Sequence, residues 1–292
     1  MSHEHLIVDS WAMWQVPNYS LIVDDVELVT DEVQMYRDAG GNSIVDVTNI
    51  GLGRNPVALQ QISRATGVQV VMGTGWYRER SYPTYIQEKN ANELADMMVA
   101  EIEVGVDGTD IKAGIIGEIG TERGFITPAQ ERVFRASARA HLRTGAPLCT
   151  HTTHWGELAL EQLDLLAEEG VDPRNVIISH LGDRRSIDFF IPIAERGAFL
   201  GIDNIGYLDY QREDRRAQNV IELMQAGFRS QILLSMDIAT INDLHWYGGK
   251  GFDYLLLTFI PLLKSLGATD EDVHAMMVEN PQRAFAFTEP RS

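Results

Sequence analysis

Six side chains in this chain of 292 residues could together do metal chemistry: His3, His5, Glu118, His151, His180 and Asp237. Imidazole nitrogens and carboxylate oxygens are the donors that zinc and its first-row neighbours take. Each residue also has a plainer reading. Glu118 could pair with an arginine, Asp237 could cap a helix, and His3–Glu4–His5 could be a solvated terminus. Their placement argues for the chemistry. His151 follows the apolar run Leu148–Cys149–Thr150, His180 follows Val176–Ile177–Ile178–Ser179, and Glu118 and Asp237 close similar runs. A buried strand that releases a side chain as it emerges holds that side chain rigidly over a pocket.

Six ligands exceed the three or so that one catalytic zinc uses, so two ions fit better. His3 and His5, two apart on an extended segment, point the same way and can grip one ion, with Asp237 completing its set. His151 and His180 would hold the second, and Glu118 would bridge both. Two such ions can share a water and make it hydroxide near neutral pH while one polarises the electrophile, which is hydrolase chemistry.

The elements that must position these residues follow from the pattern. Nearly continuous apolar runs at Ser43–Val47, Val68–Gly73, Ala113–Glu118, Pro147–His151, Val176–His180, Ala198–Ile202 and Gln231–Ser235, with His5–Val8 as a first, suit strands covered on both faces. Helical patterns lie between them, and Gly40, Gly67, Gly105, Gly145, Gly170, Gly197 and Gly227 stand at the hand-overs. Thr127–Pro128–Ala129–Gln130 reads as a helix start with a reciprocal cap, and Thr269 with Asp272 as another. About eight strand–helix units without a linker imply an α/β fold, a single-domain (β/α)8 TIM barrel, with a doubly wound open sheet as the alternative. Residues 1–250 would form the barrel core and loops. Residues 251–292 would add the last barrel helix and C-terminal helices, with the apolar side chains of Asn280–Phe287 in the core.

Composition narrows the function. A formal charge of −18 argues against a nucleic-acid surface. No apolar run reaches the roughly 20 residues of a membrane span, and the start lacks a signal-peptide pattern. The lone Cys149 needs no oxidising compartment. The expectation is a cytoplasmic protein acting on a small molecule, with no nucleic-acid or membrane partner, and a homodimer on the general frequency of such assemblies. No GxGxxG follows a strand, which excludes a dinucleotide fingerprint.

The segments HEH, GIIGEIGT, CTHTTH, ISHLGD and LSMD, in that order, resemble the phosphotriesterase family of the amidohydrolase superfamily, and the likeness spans nearly the whole chain. Family members often bridge their metals with a carboxylated lysine. Glu118 stands at that place here, and GEIGTERGFITPAQERVF is similar to the phosphotriesterase-homology branch, where a glutamate bridges directly. The resemblance implies two divalent ions, zinc with manganese or cobalt as alternatives. His3, His5 and Asp237 would hold the buried ion, His151 and His180 the exposed one, and Glu118 both. It also implies that Asp237 takes the proton as the bridging hydroxide attacks. Lactonase-like relatives show a stretch similar to Leu200–Asp203 but with an arginine next, where this chain has Asn204. The expected reaction is lactone or carboxyl-ester hydrolysis. Phosphotriester hydrolysis, a mononuclear deaminase-type site and a non-catalytic ligand-binding barrel are the alternatives.

Substrate contacts are expected from loops after the strands. Trp76 and Tyr77 follow one strand, and the Tyr77 hydroxyl could donate to a substrate carbonyl. Arg184 could hold an anionic group. The loop after Asp237 carries His245, which is not expected to be a ligand, and Trp246, and reads as a lid or pocket wall.

Overall fold

The structure, a computed structural model, describes residues 1–14, 18–153 and 155–291, so His154 of the CTHTTH segment lies outside them. The chain first makes a small antiparallel ribbon, β1 (Val8–Asp9) with β2 (Ile22–Val23). Seven parallel strands follow in one curled sheet: β3 (Ser43–Asp46), β4 (Gln69–Thr74), β5 (Ile115–Gly120), β6 (Leu148–His151), β7 (Val176–Ile178), β8 (Phe199–Ile202) and β9 (Ile232–Leu234). Each pairs with the next in sequence, as Ile44 with Val70, Cys149 with Ile177 and Gly201 with Leu233.

The apolar runs are continuous because both faces are covered. Val45, Val47, Ile115, Cys149, Ile177, Phe199 and Leu233 form one buried cluster with Ala284. Their neighbours Ile44, Ile116, Leu148, Val176, Ile178 and Leu200 belong to the larger core with the helices. The helices start and stop where local chemistry says they should. In Pro128–Thr144, Gln130 N–H donates to Thr127 Oγ1 and Thr127 N–H to Gln130 Oε1, and the helix ends at Gly145 with φ of 76°. Only a residue without Cβ adopts that left-handed conformation cheaply.

The N-terminal segment joins the two edges of the sheet. Toward β3, Glu4 N–H donates to Val45 O at 2.9 Å and Val47 N–H to Glu4 O at 3.0 Å. Toward β9, Asp237 N–H donates to His3 O and His5 N–H to Ile238 O, both at 3.2 Å. Glu4 itself is fully buried, and its carboxylate accepts from Ser235 Oγ at 2.6 Å, Met236 N–H at 2.8 Å and Ile238 N–H at 3.0 Å. On the opposite side Asp46 accepts from Leu6 N–H at 2.7 Å and Thr48 N–H at 3.0 Å.

Two expectations are corrected. No strand forms at His5–Val8: the parallel bridge falls earlier, between Glu4 and Asp46, and Val8 turns away into β1. The Asp46 carboxylate explains the change, because it captures the Leu6 N–H that a continuing ladder would use. In the C-terminal segment Ala284 is buried as expected, but Phe287 is exposed. No helix among the described residues is long and apolar enough to cross a membrane.

The seam makes a stability prediction. Glu4→Ala leaves buried N–H groups without an acceptor and should lower the unfolding free energy by about 3 kcal/mol or more. Glu4→Gln, which keeps the shape and one acceptor, should lose less. Urea unfolding of the variants measures both, and equal stability of Glu4→Ala and wild type would refute the role of the seam.

Candidate metal centre

The six expected ligands arrive at one end of the sheet, four of them from a strand or its exit. Glu118 lies within β5 and His151 ends β6, while His180 and Asp237 follow β7 and β9 within three residues. His3 and His5 come from the seam. His180 and Asp237 have φ of 63° and 53°, an uncommon conformation for side chains of their size. Such strain concentrates at functional sites, where the surrounding structure holds it.

The Glu118 carboxylate is the hub. Its Oε1 lies 2.5 Å from His151 Nδ1, 2.9 Å from His180 Nε2 and 3.6 Å from His3 Nε2, and its Oε2 lies 3.6 Å from His5 Nε2. Asp237 Oδ1 faces the other pair, 3.4 Å from His3 Nε2 and 3.3 Å from His5 Nε2. Two clusters with cation-binding geometry therefore share Glu118: His3–His5–Glu118 and Glu118–His151–His180.

The donor set fits divalent ions on its own geometry. His180 Nε2 and His151 Nδ1 stand 2.7 Å apart while both crowd the same carboxylate oxygen. His3 Nε2 is buried with no hydrogen-bond partner among the described residues, although buried polar atoms are rarely left so. A cation between these lone pairs would satisfy all of them.

Electrostatics point the same way. Burial opposes charge on His3 and His180, but the surrounding carboxylates Glu118, Asp203 and Asp237 outweigh it and hold both well above the usual histidine range. Burial likewise opposes charge on His5, yet Asp237 and Glu118 raise it to about 9. For His151 burial wins over Glu118, and the value falls to about 4. Burial would lift Glu118 and Asp237, yet the imidazoles hold both below the ordinary carboxylate range. The carboxylates of the cluster thus stay ionised and favour positive charge at the facing ring nitrogens.

Sequence reasoning missed Asp203 as a contributor. Its Oδ1 accepts from the His180 N–H at 2.7 Å and sits 3.1 Å from His180 Nδ1, while Oδ2 lies 3.3 Å from His3 Nδ1. One carboxylate thereby aims the outer nitrogens of two rings whose inner nitrogens face Glu118. Gly201 makes this possible, since a Cβ there would come within 2.6 Å of Asp203 Oδ2. The signal was present: Asp203 is an acid directly after an apolar strand, the same criterion that selected Glu118 and Asp237. Thr48 aims His5 in the same manner, its Oγ1 lying 2.8 Å from Nδ1.

A cavity of about 560 Å³ opens over the cluster, lined by His5, Glu118, His151, His180 and Asp237 and walled by Tyr77 and Asn204 among others. The Tyr77 hydroxyl lies 3.1 Å from His151 Nε2. Burial, with Glu118 nearby, pushes its pKa well above the usual value, so it stays a donor. Three other expected substrate contacts do not line this cavity. Trp76 is fully buried and its indole N–H donates to Tyr85. Arg184 stacks 3.7 Å over the Phe189 ring and donates to Trp155 O. Trp246 is 77% exposed, on a loop fastened to Glu32 through its own N–H and through His245, whose Nδ1 lies 2.9 Å from that carboxylate. His245 accordingly takes no part in the cluster. The loop contributes Ala239 and Thr240 to the wall.

The pattern of the Phosphotriesterase family matches residues 1–285. The phosphotriesterase homology protein of Escherichia coli is 38% identical over 98% of this chain and 97% of its own length. Its crystal structure superposes with a TM-score of 0.95, covering 98% of each chain. An N-acetyltaurine hydrolase of Danio rerio is 35% identical over 91% of this chain and 79% of its own. The structure of a lactonase from Listeria monocytogenes, 30% identical, gives a TM-score of 0.93 over 99% of this chain and 94% of that one.

Two outcomes test the centre. Glu118→Ala removes the shared ligand, and elemental analysis should find its divalent content fall from about two ions per chain to one or fewer; unchanged stoichiometry would argue for a mononuclear site. Asp203→Asn keeps all six ligands but loosens two rings, and its metal affinity, read by competition with a chelator, should drop by about 10–100-fold.

Proposed function

Because this chain belongs to the phosphotriesterase family, we propose that it is a binuclear metal-dependent hydrolase that opens lactone or carboxyl-ester bonds. The observation that carries this reading is the convergence of His3, His5, His151 and His180 on Glu118, with Asp237 facing the first two and His180, beneath one cavity. In it the seven parallel strands and the seam Met1–His5 together form a (β/α)8 barrel, one domain, acting on a small molecule in the cytoplasm, as a homodimer. The similarity to a lactonase supports the acyl substrate.

His3, His5 and Asp237 would hold one ion, His151 and His180 the other, and Glu118 both. Two divalent ions, zinc or alternatively manganese or cobalt, would supply an activated water and a Lewis acid for the acyl oxygen. The chain's own residues do the rest. Asp237 is the proton acceptor: both carboxylates line the cavity, but its side chain is 20% exposed against 3% for Glu118, so it is the more open to solvent of the two. Tyr207 fixes it in place by donating from its hydroxyl to the Asp237 carbonyl at 2.8 Å. With His151 Nδ1 holding the ion, its Nε2 would carry the proton and donate to the Tyr77 oxygen 3.1 Å away, leaving the Tyr77 O–H for a substrate oxygen. A donor placed where negative charge develops lowers the barrier more than it aids binding.

The test is a panel of γ- and δ-lactones, simple esters and a phosphotriester offered to the metal-loaded protein, with a chelated control. Lactones or esters should lead by about 100-fold in kcat/KM, equivalent to about 2.7 kcal/mol of transition-state preference. A leading phosphotriester would replace the acyl reading with the phosphoryl one. No turnover, or turnover indifferent to chelation, would remove the hydrolase reading.

A further inference from the structure

The structure assigns Asn204 as a specificity-determining acceptor that selects substrates bearing an N–H or O–H beside the scissile acyl group; this rests on the hydrolase reading above. Asn204 is 2% exposed and lines the cavity one residue after Asp203. Its orientation is dictated by its partner. The Nδ2 donates to Asp183 Oδ2 at 2.7 Å, and the other Asp183 oxygen takes Arg216 Nε at 2.8 Å and Nη2 at 2.7 Å, both partners fully buried. A carboxylate so held accepts hydrogen bonds, so the amide nitrogen must face it and Oδ1 must face away.

That oxygen has no hydrogen-bond partner among the described residues, while the side chain that carries it is almost wholly enclosed. Its neighbours place it close to the chemistry. Asp203 holds His180, and Tyr207, whose N–H donates to Asn204 O, also anchors Asp237. The wall also carries the Tyr77 hydroxyl and the guanidinium groups of Arg78 and Arg123, the latter two paired with Glu122 and Glu157. An arginine in its place would present donors alone. Asparagine reverses the polarity of this point in the wall, and a buried acceptor left unpaired by the bound substrate costs binding energy that a donor-bearing substrate recovers.

Two matched substrate pairs test this on the metal-loaded protein: a secondary N-alkyl amide against its N-methyl counterpart, and an α-hydroxy-γ-lactone against the parent γ-lactone. In the wild type at least one donor-bearing member should lead its partner by about tenfold or more in kcat/KM. The pair showing the larger ratio tells N–H from O–H as the source. In Asn204→Leu, and in Asn204→Ala as a second variant against misfolding, that ratio should collapse toward one, with metal content retained. A wild-type ratio near one in both pairs, or a ratio that survives both substitutions, overturns the assignment while lactone turnover keeps the hydrolase reading alive. Absence of turnover in every pair and in the lactone panel overturns both.

Discussion

An ionised carboxylate, buried and surrounded by four imidazoles, is the constraint to which the rest of this molecule answers. Glu118 gains almost nothing from water, so its charge must be met by the rings that crowd it. Those rings come from the N-terminal segment and from the exits of two consecutive parallel strands. Only an arrangement that carries every strand in the same direction can deliver their exits to one small volume, and the curled parallel sheet is that arrangement. Around the rings stand groups that do not face the centre. Asp203, Thr48 and Ser179 hold the outer ring nitrogens, so the inner ones are aimed before anything binds.

The seam shows how dearly that geometry is held. Placing His3 and His5 opposite Asp237 requires the first five residues to lie between β3 and β9, and two buried acids, Glu4 and Asp46, hold them there through backbone N–H groups. The same residues thus belong to the fold and to the site at once. A disturbance of either edge reaches Glu118 through a single peptide segment.

Much of this was legible from residue types because strand and ligand share a grammar. A buried parallel strand reads as an unbroken apolar run, and the first polar side chain after it is presented to the mouth of the sheet. That rule located His151, His180, Glu118 and Asp237, and applied evenly it also marks Asp203. It failed at Val8, where a tertiary partner, the Asp46 carboxylate, diverts the backbone and no local pattern announces it. It failed again for the loop residues. Trp76 is an aromatic beside a strand exit, just as Tyr77 is; alternation along the chain sends one ring inward to Tyr85 and the other over His151. Arg184 and Trp246 were placed by charge and ring type alone, and such side chains find partners that depend on distant elements, here Phe189 and Glu32. Position along a strand is encoded locally, whereas the direction taken in a loop is decided by whatever folds up against it.

The cluster of Val45, Val47, Ile115, Cys149, Ile177, Phe199 and Leu233, closed by Ala284, lies beneath the site and fills the interior of the curl. The cavity therefore rests on a packed apolar floor. A polymer could present an end to this centre but could not be threaded past it. With the floor sealed by apolar side chains, the polar character of the cavity is set by the walls above it, where Tyr77 and Asn204 stand.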